Sequence, residues 1–293
     1  MISFKDKIQI LRTLKTDDLD LTEVTKYLDL LKYKSLAGVV LDKHLDALTD
    51  IDTQMTAVYS SISDEEWIDL ISDYDTPIEK PIQKPSYSFV RNNLKTFINA
   101  YKALDQVIPE LDLNILFNSL SKVLYCRTTS LQFLFFSVAK HKPNAVLHFL
   151  LDGVTSNPSV YIPYFVSFVS RFKFDCSKFI EKYCKWIRSL YKKSNFKTKS
   201  LLHIQATQGL IYICCFRREF IDKVKDLLDY IFSENICSFM NLNVVEVFCS
   251  LSGYKCNNFK SLDNHVLDLF PFDKSILKPI HELYEDYYVE FEQ

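Results

Sequence analysis

Apolar residues along this chain recur at steps of three and four positions, the spacing that places side chains on one face of an α-helix. Ser177–Tyr191 is the clearest case, and its apolar positions are Phe179, Ile180, Tyr183, Trp186, Ile187 and Leu190. Lysines follow on roughly the opposite face, at Lys178, Lys182, Lys185 and Lys192. No stretch longer than a few residues alternates apolar and polar positions as a half-buried strand does. The pattern therefore predicts helices and no β-sheet.

The same spacing predicts further helices, over Leu111–Leu124, Leu131–Lys140, Ala145–Leu151, Val160–Phe172, Leu201–Phe216 and Ile221–Ser233. Short breaks separate them, at Pro143, at Gly153 with Asn157-Pro158, at Asp175 and over Lys192–Lys199. Several helices, notably Leu201–Phe216, are apolar on more than one face and must be covered on both sides. Stacked helix pairs provide such cover. We therefore expect an all-α, HEAT-like α-solenoid of stacked antiparallel helix pairs.

One segment of the chain is rich in proline. Asp75–Ser86 reads DTPIEKPIQKPS, with prolines at three regularly spaced positions. Proline lacks an amide donor and disfavours helix in the residue before it, so this segment is expected to be extended and exposed. The sequence thus predicts three regions: an acidic N-terminal helical region over 1–74, a linker over 75–86, and a C-terminal helical-repeat array over 87–293.

Composition narrows the classes of protein. With 4 Gly and 9 Pro in 293 residues, the chain has few of the glycines that nucleotide-binding α/β folds, sandwiches and barrels use in turns and phosphate loops. Its apolar stretches are far shorter than the roughly 20 residues of a membrane span, and charges are scattered through its first residues, unlike in a secretory signal. We therefore expect no membrane partner, and reduced thiols for its 8 Cys in the cytosol or nucleus.

Charge is unevenly distributed although the net charge is only −2. Residues 140–203 carry 12 Lys and Arg against 3 Asp and Glu. Residues 1–86 carry 10 against 17, and residues 258–293 carry 3 against 8. A basic middle between acidic ends can steer an acidic partner, whether protein or nucleic acid. Solvated helix faces without any partner remain the simpler interpretation for a single charge.

Motifs that would indicate catalysis are absent from the sequence, including the glycine-rich phosphate loops, His-Glu-x-x-His and Gly-x-Ser-x-Gly. Cys214 and Cys215 are adjacent in an apolar helix and point to different faces, which is typical of core packing. A minor alternative is a zinc site built from Cys237, Cys249, Cys256 and His265, whose spacings contain no Cys-x-x-Cys pair. We expect no enzyme activity, no cofactor, no metal and no small-molecule substrate.

Three segments carry a resemblance to one family, in the same order and at similar spacing. Ser130–Phe136, followed by Asn157-Pro158 and Phe165–Phe174, is similar to a helix with V-Q-F, an N-P break and a helix end reading G-S-F-L-A-R-A-K-F. Gln205–Arg217 looks like the family's C-Q-A-L-F-Y-T-F-V-F-R, and Leu267–Asp273 like its L-D-x-F-F-P-F-D. The residues that match are Gln132, Phe133, Arg171, Lys173, Gln205, Phe216, Arg217, Phe270, Pro271, Phe272 and Asp273.

Over roughly residues 115–293 the chain thus resembles the RNA polymerase I-specific transcription initiation factors. Members of that family are usually longer, and the first 110 residues here match it poorly. The resemblance implies an α-solenoid without a catalytic step of its own. It also implies a protein of the nucleus and nucleolus that binds RNA polymerase I subunits and bridges the enzyme to the promoter-bound core initiation factor on ribosomal RNA genes.

A basic strip in the middle of the chain is the expected partner-binding surface, with contributions from Arg171, Lys173, Lys178, Lys182 and Lys185. The other matching residues are expected to be structural, and Asp273 is expected to cap the last helix. Weak non-specific contact with DNA is the second interpretation of the strip. The alternative to polymerase specificity is a generic HEAT-type scaffold or transport adaptor.

Overall fold

A computed structural model describes residues 3–14, 19–59, 85–193, 201–233 and 282–287 of the chain. Helices make up nearly all of these residues and no β-strand occurs among them, so the prediction of an all-α fold is confirmed. The α-helices are α1 (Phe4–Leu14), α2 (Leu21–Thr25), α3 (Lys34–Tyr59), α4 (Pro85–Val107), α5 (Leu113–Val123), α6 (Thr129–Ala139), α7 (Pro143–Ser156), α8 (Pro158–Arg171), α9 (Ser177–Lys193), α10 (Leu201–Phe216) and α11 (Ile221–Ser233). Short 3-10 helices are formed by Leu28–Lys32, Ile108–Glu110, Leu124–Cys126, Arg218–Phe220 and Glu282–Tyr287.

The helices predicted between residues 111 and 233 are all present, with ends displaced by a few residues. Pro143 and Pro158 open α7 and α8, at a position where a helix needs no amide donor. We expected a break between helices at Gly153, because glycine disfavours helix. Instead, Gly153 lies inside α7. A Cβ atom there would come within 2.0 Å of the Tyr161 ring, so the glycine allows α7 and α8 to approach closely.

The chain forms two compact units. The first contains α1–α6 with residues 282–284, and the second contains α7–α11 with residues 285–287. Of the predicted linker over 75–86, only Pro85 and Ser86 are described, and they begin α4. Helices on both sides of the linker belong to the first unit.

In the first unit, α3 is the central helix and packs against α1, α2, α4, α5 and α6. Asp52 of α3 is buried, and its Oδ2 atom accepts a hydrogen bond of 2.9 Å from the backbone amide of Ser130 in the first turn of α6. A carboxylate at this position satisfies an amide that has no partner inside its own helix, and it lies at the positive end of the helix dipole. Burial nevertheless raises the pKa of Asp52, although hydrogen bonds from Ser130 oppose the rise. Asp52 thus fixes α6 on α3.

Tyr284 completes the core of the first unit. Its side chain is fully buried, and its ring stacks on Phe133 of α6 with 5.7 Å between ring centroids. Its hydroxyl donates to Asp105 Oδ1 of α4 at 2.9 Å and is also hydrogen-bonded to the hydroxyl of Tyr101. Lys140 Nζ lies 4.3 Å from the ring centroid. A residue near the end of the chain therefore joins α4 to α6.

In the second unit, α8 packs against α7 and α10, while α9 packs against α7, α10 and α11. Every residue of α8 from Ile162 onward is buried, and α10 is buried along most of its length, as its apolar pattern predicts. Gly209 allows α8 and α10 to approach closely, because a Cβ atom there would lie 2.6 Å from Val166 Cγ2. Cys214 and Cys215 are buried in this core.

Candidate protein interface on helix α9

Helix α9 has one buried and one exposed face, as its sequence predicts. Its start is capped by Asp175, whose Oδ1 atom accepts a hydrogen bond of 3.0 Å from the Ser177 amide. This hydrogen bond is the main reason that the pKa of Asp175 is lowered. On the buried face, the Tyr183 hydroxyl donates to the Ala206 carbonyl at 3.0 Å, and the Tyr191 hydroxyl is 2.8 Å from Thr207 Oγ1. These two tyrosines fix the rotation of α9 on α10.

The opposite face carries what we call the basic strip, namely Lys178, Lys182, Lys185, Arg188 and Lys192. All five side chains are exposed. With a rise of 1.5 Å per residue, the strip extends over roughly 21 Å. The sequence placed Lys178, Lys182, Lys185 and Lys192 on this face and named the first three as partner-binding residues. Arg188 was missed although it follows Lys185 by three positions, a helical spacing.

Two carboxylates lie close to the strip in the sequence, Glu181 within it and Asp175 before it, and Asp175 interacts electrostatically with Lys178. Glu181 on the same helix is 3.9 Å from Lys223 of α11. Within the described residues, no salt bridge involves a member of the basic strip. Lys182 Nζ lies 5.7 Å from the centroid of the Phe179 ring. The strip therefore presents five positive charges to solvent, which can increase the rate of encounter with an acidic partner.

Arg171 and Lys173, also expected in the partner-binding surface, are in different environments. Arg171 is only 5% exposed, because it lies in the last turn of the enclosed helix α8. Its guanidinium carbon is 4.4 Å from the centroid of the Phe216 ring. Lys173 is exposed just after that helix ends. The side chain of Arg171 is therefore not part of the exposed surface, whereas Lys173 extends the positive charge beyond the start of α9.

The matching segments at the end of α8 and the end of α10 meet in space. Arg217 is buried, and its guanidinium donates to the backbone carbonyls of Val169 at 3.3 Å, Phe172 at 2.7 Å and Phe174 at 3.0 Å. Its Nε atom also donates to Glu219. Carbonyls at the end of a helix have no partner within the helix, so Arg217 supplies donors where they are needed. Arg217, which follows α10, therefore connects the end of α10 to the end of α8.

The remaining matching residues have structural environments or lie outside the described part. Gln132 and Phe133 are fully buried in α6, and neither polar side-chain atom of Gln132 has a hydrogen-bond partner within the described structure. Gln205 is half-buried in α10. The segment Phe270–Asp273 lies outside the described residues, as do the zinc candidates Cys237, Cys249, Cys256 and His265.

Among the described residues, no three His, Cys, Asp or Glu side chains are grouped so that they could hold a metal ion. No helix there combines the length and the apolar character that crossing a membrane requires.

Comparison of the whole chain with protein-family models, with curated proteins and with solved structures finds no match.

Proposed function

We propose that this protein is an RNA polymerase I-specific transcription initiation factor, acting in the nucleolus to bind the polymerase and bridge it to the promoter-bound core factor. The observation that carries the proposal is the meeting of two matching segments. Arg171 stacks on Phe216, and Arg217 binds the carbonyls that end α8. Residues about 45 positions apart in the sequence thus form one buried arrangement. This contact gives the two matching segments a common structural role, which supports the proposal.

We also propose that α7–α11 form a HEAT-like solenoid. In support, α9 packs against both α7 and α11, and α8 packs against α10. A solenoid of two layers, one with the odd-numbered and one with the even-numbered helices, would have these contacts. A solenoid offers a long, rigid surface with little loss of conformational entropy on binding, which suits a protein that holds two large partners together.

The basic strip is the proposed contact with the polymerase. A single exposed ion pair contributes only about 0–1 kcal/mol, so no one lysine should decide binding. Five positive charges along roughly 21 Å of one helix act together, mainly by accelerating association and by favouring acidic surfaces. We therefore expect binding to weaken as salt concentration rises, since salt screens exposed charges.

The test is affinity purification of the tagged full-length protein, followed by identification of the large subunits bound to it. We expect polymerase I subunits and core-factor subunits with the native protein. A triple variant, Lys178→Glu, Lys182→Glu and Lys185→Glu, should lose most of the polymerase. The matched control reverses Lys5, Lys32 and Lys225, which are exposed but lie outside the strip, and it should retain the polymerase with the same change in net charge.

Two outcomes would contradict the proposal. Equal recovery of polymerase by both triple variants would exclude the basic strip as the contact. Recovery of transport cargo without any polymerase I subunit would favour the generic scaffold or transport adaptor. Direct contact of the strip with DNA is a second candidate function, favoured only by the run of unpaired cations, and it predicts affinity that falls linearly on a log–log plot against salt.

A further inference from the structure

A shallow, open cleft lies at the end of the second unit where α9 begins. Its volume is about 540 Å³, and its apolar walls are Phe174, Phe216 and Phe220. Phe220 is buried, while Phe174 and Phe216 are half-buried, so the two latter rings expose part of their surface to the cleft. Arg217 also lines the cleft, and its guanidinium donates to carbonyls and to Glu219. The cleft is large enough for one bulky side chain.

The charges around the cleft are arranged unevenly. Lys173 lines it, and Lys178, the first member of the basic strip, directly follows the cleft residue Ser177 in α9. The carboxylates of Asp175 and Glu219 also line it. Asp175 caps α9, and Glu219 is paired with Arg217. Positive charge therefore increases away from the cleft, along α9.

We propose that the cleft and the basic strip form one composite surface for an acidic protein segment with a single bulky apolar residue at one end. The apolar residue enters the cleft between the phenylalanine rings. The acidic residues follow along α9 and lie opposite Lys178, Lys182 and Lys185. This inference rests on the proposed function and deepens it, because it specifies which kind of polymerase or core-factor segment the strip recognises.

The same charges argue against a nucleic acid as the occupant. A nucleic acid carries one phosphate per nucleotide, so a base stacked in the cleft would bring its phosphate to a place where the carboxylates of Asp175 and Glu219 balance the cations of Lys173 and Arg217. The phosphate would therefore gain little net attraction at the cleft. A protein segment can instead place an uncharged residue at the cleft and concentrate its carboxylates along the strip. A segregated acidic segment therefore fits both the apolar and the charged part of the surface.

Fluorescence anisotropy with labelled synthetic probes tests the inference on the full-length protein. The first probe is an 18-residue peptide with one Trp near its end, followed by Glu at every third or fourth position. The second probe has Ser in place of Trp, and the third has Gln in place of every Glu. We expect the first to bind about tenfold more tightly than the second, which corresponds to about 1.4 kcal/mol. Single-stranded DNA of the same charge should bind more weakly than the first probe.

Substitutions separate the two parts of the surface. Phe174→Ala should remove the advantage of the Trp probe over the Ser probe, whereas Phe149→Ala, at a half-buried phenylalanine of α7 that contacts Tyr161, should keep it. Lys182→Glu with Lys185→Glu should weaken both acidic probes by a similar factor. If Phe174→Ala lowers stability, Ser177→Trp provides the same test, because it fills the cleft from its rim without removing a wall.

Two results would overturn the inference: equal binding of the Trp and Ser probes to the native protein, or tighter binding of DNA that Phe174→Ala leaves unchanged. Neither of these results decides whether the proposed function is correct. If the peptides fail but polymerase I is still recovered through the strip, only the composite surface is rejected. If the Trp probe binds as expected but no polymerase I subunit is recovered, the proposed function is rejected and the peptide-binding surface remains.

Discussion

Gly209 offers the sharpest test of how α8 and α10 pack. Substitution by alanine adds a Cβ atom that would lie 2.6 Å from Val166 Cγ2 and 3.4 Å from the Tyr183 hydroxyl. Non-bonded carbon atoms normally lie roughly 3.5–4.0 Å apart. Val166 and Tyr183 are both fully buried, and the Tyr183 hydroxyl is hydrogen-bonded to Ala206. The added methyl group therefore has to push the two helices apart.

The expected magnitude follows from two opposing effects. An extra methyl group in a well-packed core costs about 1–3 kcal/mol. Replacing glycine by alanine inside a helix contributes about 1 kcal/mol of stability in the other direction. We therefore expect Gly209→Ala to lower the free energy of unfolding by up to about 2 kcal/mol. Urea unfolding followed by far-UV circular dichroism measures this loss as a lower midpoint.

Gly38→Ala is the matched control because it makes the same chemical change in a helix with space for the methyl group. The nearest atom to a Cβ there is Ile115 Cγ2, at an ordinary contact distance of 3.9 Å. We expect this variant to be about 0.5–1 kcal/mol more stable than the native protein. If Gly209→Ala gained stability as Gly38→Ala does, the close packing of α8 on α10 described above would be refuted.

Three further predictions concern the first unit. Asp52→Ala leaves the buried Ser130 amide without its acceptor and should lower the free energy of unfolding by about 1–3 kcal/mol; an unchanged urea midpoint would contradict the capping role. Tyr284→Phe removes the hydroxyl that donates to Asp105 and should lower the free energy of unfolding by about 1–2 kcal/mol. Tyr284→Ala should lower it further, because the ring contacts are also lost. Equal losses of stability in the two variants would exclude the ring packing. Burial lowers the pKa of His44 from 6.5 to about 4, so the unfolded chain takes up a proton first and stability should fall as pH decreases from 6.5 towards 4. His44→Leu should reduce this fall, as measured by urea unfolding at several pH values, and an unchanged pH dependence would contradict it.

The sequence predicted the helices of the second unit well because their signal is local. Residues three and four positions apart share a helix face, so the alternation of Phe179, Ile180 and Tyr183 with Lys178 and Lys182 is sufficient to orient α9. The exposed lysines of the basic strip followed from the same pattern, whereas Arg188 was missed. Gly153 was misplaced because glycine is often found at breaks, whereas here it is required by the approach of the Tyr161 ring, which no local pattern reports.

The contacts that organise the candidate site were not predictable in this way. Arg171 has the appearance of a surface cation in the sequence, but it stacks on Phe216, which follows it by 45 positions. Asp52 and Ser130 are 78 positions apart, and Tyr284 and Tyr101 are 183 apart. Pairing over such separations depends on how whole helices pack, and many sequences with the same local pattern would pack differently.

By itself, the sequence determined the all-α character, the helix positions and the positive face of α9, because each of these depends on neighbouring residues and on the 3.6-residue period of the helix. Only the tertiary structure decided which charged residues are available to a partner. In the folded protein Arg171 is buried, Arg217 binds the carbonyls at the end of α8, and the cleft beside the basic strip is open. The physical reason is that burial is a property of the assembled helices: a side chain is exposed or enclosed according to what packs over it, and that neighbour is usually distant in the sequence.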